Sequence, residues 1–259
     1  MNFDHVLVEK VEHKGYITLN RSEKLNAMPR QMYEEISAAL QTLDQDEDVR
    51  VMIVRGAGER AFSAGADLDV LHSVLSGDEF EWVPFRPERF DMGLSVSKPV
   101  IAQIHGYCLA GGMELALSCD MRIASDDAIF GAPEIHWSVL HGFGALTLPN
   151  LAPLGSVMEL LFTGKQFSAA EAFELGIVNR VVSRDDLSQA VDQLASAICN
   201  NGPIAVRMIK ELILRGRELP LHDGLRLYRE MNKLVHQSQD SVEGMLAWKE
   251  RREPLYTNK

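Results

Sequence analysis

The chain has 259 residues, 26 Lys+Arg against 37 Asp+Glu, and a formal net charge of −11. That balance argues against broad nucleic-acid binding, while 46% apolar and 24% charged side chains suit a globular chain with its own core. The charge is uneven, with 15 basic and 29 acidic groups in residues 1–202 but 11 and 8 in 203–259, so the C-terminal end either carries ordinary exposed helix charges or meets something anionic.

Residues 6–9 and 15–19 read as two strands of an opening hairpin, with Gly15 serving the turn. After Pro29, Met32, Ile36, Leu40 and Leu43 recur at steps of four, four and three and predict an amphipathic helix. Its acidic groups, Glu34, Glu35, Asp44, Asp46, Glu47 and Asp48, are expected to be solvated. Apolar runs at 49–54 and 100–104 end at Gly56 and Gly106, and each leads towards a helix, the pattern of an α/β layered fold. Residues 76–93 have two prolines and no period and read as a loop or lid, with Phe80, Trp82, Phe85 and Phe90 lining a pocket or anchoring the loop. Ser168 and Glu171 form a capping-box pattern ahead of a short helix, residues 178–182 predict a last strand, and beyond about residue 185 the pattern is helical, divided by Pro203 and Pro220.

Cys108, Cys119 and Cys199 are far apart and form no CxxC pair, so neither a disulfide framework nor a zinc site is expected, and a reducing, cytoplasmic location fits. The first residues are charged throughout, and His105, Glu114 and Asp120 interrupt the most apolar stretch; neither a signal peptide nor a membrane span is expected.

Chemistry is suggested at four places. Gly111 and Gly112 open a helix after an apolar strand, where free amides and the helix dipole suit an oxygen gaining negative charge; tight helix-on-sheet packing explains the glycines equally well. Glu114 follows one turn later among Met113, Leu115, Ala116 and Leu117, where desolvation would raise its pKa towards the range useful for proton transfer; a structural glutamate satisfied by an amide is the alternative. Glu134, beside Pro133, is a second carboxylate twenty residues on, and two carboxylates in one cavity divide acid and base roles if they meet. The small-residue run Ala61-Phe-Ser-Ala-Gly-Ala-Asp67 offers a second backbone donor or a plain turn.

Taken together, Glu23-Lys-Leu-Asn-Ala-Met28, residues 61–67, the stretch from Ile101 to Asp120, and Phe130-Gly-Ala-Pro-Glu134 resemble the crotonase (enoyl-CoA hydratase/isomerase) superfamily. The resemblance runs in order along nearly the whole chain, through Leu161-Phe-Thr-Gly164 and Ser168 to Asn179, to Glu243-Gly-Met-Leu-Ala-Trp248. It implies an α/β spiral of ββα units over residues 1–202 and a C-terminal helical region, 203–259, that trimerises, often as a dimer of trimers. An acyl-CoA thioester is the implied partner, with coenzyme A part of the substrate and no separate cofactor or metal. Matched residue by residue, Ala66 and Gly111 supply the oxyanion-hole amides, and Glu114 and Glu134 are the catalytic pair. Lys24, Leu25, Ala27, Ala64, Asp67 and Leu68 border the CoA moiety, and Tyr107, Leu109, Pro133 and Gly142 complete the substrate contacts. The implied reaction is syn addition of water to a 2-enoyl-CoA, giving a 3-hydroxyacyl-CoA.

The chain departs from the family pattern after Glu134. Leu140-His-Gly-Phe-Gly-Ala-Leu-Thr-Leu-Pro149 replaces a stretch like Ile-Pro-Gly-Ala-Gly-Gly-Thr-Gln-Arg-Leu: Gly142 and Gly144 remain, His141 takes the place of a proline, and the Gln-Arg pair is gone. His136 and Trp137 are atypical, and Glu253 stands where lysine is common. A lone His141 reads first as a surface or core histidine, with a pocket acid or base as the alternative. Rival activities within the fold are an enoyl-CoA isomerase, or a hydrolase, decarboxylase or hydratase-lyase acting on a cyclic, branched or aromatic acyl-CoA. A non-catalytic CoA- or RNA-binding homologue is the rival of another class, opposed by the acidic helix and the glutamate pair.

Overall fold

In a computed structural model, residues 3–67 and 95–259 are described; the loop expected at 76–93, its four aromatics and Leu68 lie outside them. Strands β1 (Val6–Val11) and β2 (Lys14–Leu19) pair antiparallel as a hairpin. The turn is made at Glu12, whose φ is +52°, and not at Gly15. Gly15 lies inside β2 opposite Lys10, and a Cβ there would stand 2.8 Å from Leu43 Cδ1. The glycine therefore serves packing: it lets α1 (Arg30–Gln45) settle closely on the sheet.

Helix α1 buries Met32, Ile36, Leu40 and Leu43 as its period requires. Its acidic groups correct the expectation of a merely solvated face. Glu35 is buried and accepts the amides of Asp4 and His5 at 3.2 and 2.8 Å. Asp44 accepts the Lys98 amide at 2.9 Å, and Asp46 pairs with Lys10 at 2.8 Å. These carboxylates fasten the helix to the chain on either side of it.

The first sheet continues with β3 (Val51–Gly56), β5 (Val100–Ile104), β7 (Met121–Ser125) and β10 (Arg180–Val182), in the order β1-β2-β3-β5-β7-β10 and parallel from β2 onward. Side-chain alternation divides each apolar run between two cores. Met52, Val54, Ala102 and Ile104 pack with α1, whereas Val51, Ile53 and Ile101 pack with Leu187, Val191 and Ala195 of α6 (Leu187–Cys199). Each fully buried aliphatic contributes about 1.5–3 kcal/mol relative to exposure.

A second sheet holds β4 (Ala61–Ser63), β6 (Tyr107–Leu109), β8 (Ile129–Gly131) and β9 (Gln166–Ser168) in that order. Successive turns of chain thus lay one strand in the first sheet and the next in the second: β3 then β4, β5 then β6, β7 then β8. Because β4, β6 and β8 are parallel neighbours, the segments that follow them, at residues 64–67, 110–112 and 132–134, emerge along one edge. That edge carries the candidate site, as the carboxyl ends of parallel strands commonly do.

The remaining helices are α2 (Gly111–Ser118), α3 (Gly142–Thr147), α4 (Leu154–Thr163), α5 (Ala169–Glu174), α7 (Pro203–Gly216), α8 (Leu221–His236) and α9 (Gln239–Glu250). The Ser168–Glu171 capping box forms reciprocally at α5. Pro203 opens α7 and Pro220 precedes α8, as the sequence indicates. Among the described residues, no helix is long and apolar enough to cross a membrane, and all three cysteines are buried free thiols.

Candidate functional site

The site's first part is backbone. Met28 bridges Ala66 in parallel, donating its amide to Gly65 O at 2.7 Å and accepting from the Asp67 amide at 3.1 Å. In that pattern the Ala66 N–H points away from Met28, and the start of α2 lies close by. There an ideal Cβ on Gly111 would stand 3.5 Å from Ala66 N, and one on Gly65 only 2.8 Å from Gly111 N. Gly65 has φ +96°, and its added Cβ would meet Ala110 Cβ at 2.6 Å, so glycine is what permits the two loops to touch.

Ala110, between β6 and α2, has φ +50° and ψ −129°, a conformation costing a non-glycine residue about 1–3 kcal/mol. Two hydrogen bonds hold it: its amide donates to Gly131 O at 2.9 Å and its carbonyl accepts from Glu114 N at 3.1 Å. The strain turns the chain sharply enough to present the Gly111 amide at the helix start beside Ala66. Two backbone amides this close can stabilise an oxygen that gains charge when both N–H groups are directed at it.

The second part is made of side chains. Glu114 lies three residues after Gly111, on the same face one turn into α2. Its Oε1 accepts the Phe143 amide at 3.0 Å. Glu134 sits in a 3-10 turn, Pro133–Trp137, that follows β8. The structure brings the two glutamates to one place, where the sequence alone left their meeting open: His141 Nδ1 lies 2.8 Å from Glu134 Oε1 and 3.9 Å from Glu114 Oε1. The His141 side chain is 4% exposed, and both glutamate side chains are 13% exposed.

His141 was expected first as a surface or core histidine; it is buried, and it stands between the two carboxylates. The signal in the sequence was its replacement of a proline in a glycine-rich stretch that departs from the family pattern. His136 has another role: its Nε2–H donates to Thr163 O at 2.9 Å at the end of α4, and its ring packs edge-on to the half-exposed Trp137. Among the described residues, no group of three or more His, Cys, Asp or Glu side chains is arranged to hold a metal ion.

Of the other candidate residues, Ala64, Asp67 and Pro133 lie in the segments along this edge and Leu109 ends β6, whereas Tyr107 opens β6 at the far end of the strand. Lys24 is exposed in the short turn Ser22–Lys24, and Leu25 O accepts the Ala64 amide at 3.0 Å, linking two of the segments matched to CoA contacts. Asp67 is buried and bonded to Arg21 Nη1 at 2.5 Å, while the same nitrogen donates to Ala27 O at 3.0 Å. Tyr107 is exposed, Leu109, Ala64, Ala27 and Pro133 are partly buried, and Gly142 is open to solvent. Several C-terminal basic groups are already paired: Lys210 is buried against Asp120 at 2.8 Å, and Arg252 bonds Glu243 at 2.6 Å.

Comparison with known proteins agrees along the full length. A family model described as enoyl-CoA hydratase/isomerase matches residues 11–259. The crotonyl-CoA hydratase of Syntrophomonas wolfei is 32% identical over 260 residues, covering 100% of both chains. The short-chain-enoyl-CoA hydratase of Clostridium acetobutylicum is 32% identical over 253 residues, 97% of each chain. Among solved structures, enoyl-CoA hydratase subunit I of Geobacillus kaustophilus superposes with a TM-score of 0.91 at 39% identity, covering 99% of each chain.

Proposed function

The chain belongs to the enoyl-CoA hydratase/isomerase family, and from that membership we propose that it adds water across the C2–C3 double bond of a 2-enoyl-CoA to give a 3-hydroxyacyl-CoA. The observation that carries this reading is the convergence of Glu114 and Glu134 on His141, at 3.9 and 2.8 Å, beside the Ala66 and Gly111 amides. An isomerase needs one carboxylate to shuttle a proton; two carboxylates, each held by a separate donor, suit the division of labour that hydration requires.

The thioester oxygen accepts from the Ala66 and Gly111 amides, which stabilise it as charge moves onto it in the enolate. Glu114 orients water and takes one of its protons as the oxygen bonds to C3. Glu134 delivers a proton to C2 from the same face. The hydroxyl at C3 and hydrogen at C2 account for one water, and the proton left on Glu114 returns to Glu134 through solvent before the next turnover. No separate cofactor enters, since coenzyme A is part of the substrate. Lys24, Leu25, Ala27, Ala64, Ala66, Asp67, Tyr107, Leu109, Pro133 and Gly142 are the described residues proposed to contact the acyl-CoA.

Exposed apolar side chains on the last helices, among them Ile213, Leu221, Tyr228, Val242, Met245 and Trp248, support a subunit contact in a trimer or a dimer of trimers, and a reducing cytoplasm suits the free thiols. Light scattering on the purified protein reads the assembly; a monomer contradicts it. The reaction is tested by following the conjugated-thioester absorbance with linear, branched, cyclic and aromatic 2-enoyl-CoAs. Loss of absorbance with at least one, giving the 3-hydroxyacyl product, is expected; no hydration across the panel overturns the reading.

A further inference from the structure

We propose that His141 is a positioning residue for this reaction: it carries its proton on Nδ1, donates it to Oε1 of Glu134, and so makes Oε2 the oxygen that exchanges the proton with C2. The inference rests on the hydratase reading for its consequence but on geometry for its existence.

His141 immediately precedes α3, and its ring folds back over the helix onto Gly144. A Cβ at Gly144 would stand 2.1 Å from His141 Cδ2 and 2.3 Å from Nε2, so the ring occupies space that only a glycine leaves open. Among the described residues, Nε2 is buried with no hydrogen-bond partner. A protonated Nε2 would bury an unsatisfied donor, whereas a lone pair against the glycine methylene is the less costly arrangement. The proton accordingly belongs on Nδ1, where Glu134 Oε1 accepts it at 2.8 Å.

The consequence falls on Glu134. Its Oε2 is likewise buried and unpartnered among the described residues, while Oε1 is occupied by the imidazole. In the acid form of Glu134 the carbonyl oxygen accepts from His141 and the Oε2–H is free to be delivered. After delivery the carboxylate keeps the same bond, which is then charge-assisted. The carboxylates within 4.0 Å of the ring nitrogens, among the described residues, are Glu134 from the 3-10 turn and Glu114 from α2. At 3.9 Å Glu114 is not hydrogen-bonded to His141; its Oε1 accepts from Phe143 instead. Residues 141 and 143 therefore fix one oxygen of each carboxyl group, one through a side chain and one through the backbone.

The test compares His141→Leu, which removes the donor at similar volume, with His141→Asn, whose amide N–H replaces the Nδ1 donor. His141→Leu is expected to lower kcat roughly 10- to 100-fold, the range for losing a hydrogen bond to a charged group, with KM changed less than about 3-fold. His141→Asn is expected to recover most of kcat. Equal activity in both variants, whether both are near normal or both are equally depressed, overturns the proposal.

A second readout needs neither turnover nor a variant that folds. The imidazole nitrogen shifts of the unaltered protein are expected to report Nδ1 as the protonated nitrogen, and a proton on Nε2 alone overturns the assignment. If the unaltered protein hydrates no enoyl-CoA while the shifts report Nδ1–H, it is the hydratase reading that fails; if it hydrates and the shifts report Nε2–H, this proposal fails alone.

Discussion

The two halves of the site are built by different means. Ala66 and Gly111 come together because β4 and β6 are parallel neighbours and because Gly65 and Gly112 let two backbones touch; an added Cβ on Gly112 would stand 2.3 Å from Ser63 O. The carboxylates meet because a side chain, His141, and an amide, Phe143 N–H, reach them from one short stretch. A backbone-built half tolerates many side chains but no Cβ at its glycines. A side-chain-built half can be retuned by one substitution, and it is there that this chain departs from the family pattern.

That contrast can be broken at several depths. The largest effect is expected at the carboxylates: Glu114→Gln and Glu134→Gln each lower turnover about 100-fold or more with the fold retained, read by steady-state hydration. Near-normal turnover in either variant removes that residue from the mechanism. Next is Gly112→Ala, which drives a methyl into the Ser63 carbonyl and is expected to cost roughly 1–3 kcal/mol of stability as well as activity, read by chemical denaturation. An unchanged unfolding midpoint contradicts the close approach of β4 and α2.

A smaller effect is expected from Asp67→Asn, which weakens the bond from Arg21, whose guanidinium also holds Ala27 O. KM for the acyl-CoA should rise several-fold with kcat nearly unchanged, and stability should fall by roughly 1–3 kcal/mol. A change in kcat alone contradicts the assignment of this pair to the binding side.

The smallest effect comes from His105, the other buried histidine, at the end of β5. Burial pushes its pKa down, and the Arg184 charge adds to the shift. The folded protein therefore binds this proton less readily than the unfolded chain, and stability falls as pH drops through the unfolded-chain value of about 6.5. Replacing His105 with Asn is expected to flatten the slope of stability against pH below neutrality, measured by denaturation at successive pH values. An unchanged slope rules out His105 as its source.

Much of the fold was legible because periodicity reports which face is buried. The four-residue spacing in α1 and the apolar runs of β3 and β5 follow directly from the two cores they face. Gly15 was misread because a glycine between two strands signals a turn, whereas this one makes room for Leu43. Glu35 was misread because composition cannot reveal that the amides of Asp4 and His5 lie over it. In the site, glycines and small residues marked the backbone half, since close approach restricts composition. His141 is marked by its place in a glycine-rich stretch, but its partner is not: the ring reaches Glu134 across a 3-10 turn and the start of another helix, a juxtaposition made by tertiary packing and not by spacing.

In the proposed reaction two carboxylates divide water addition at C3 from protonation at C2. Hydrating crotonyl-CoA in D2O and locating the label by mass and NMR reads that division at the reacting carbons. One deuterium at C2, on the same face as the new hydroxyl at C3, is expected, with its rate of incorporation depressed in Glu134→Gln. Deuterium at C4, label on both faces of C2, or unchanged incorporation in that variant would contradict it.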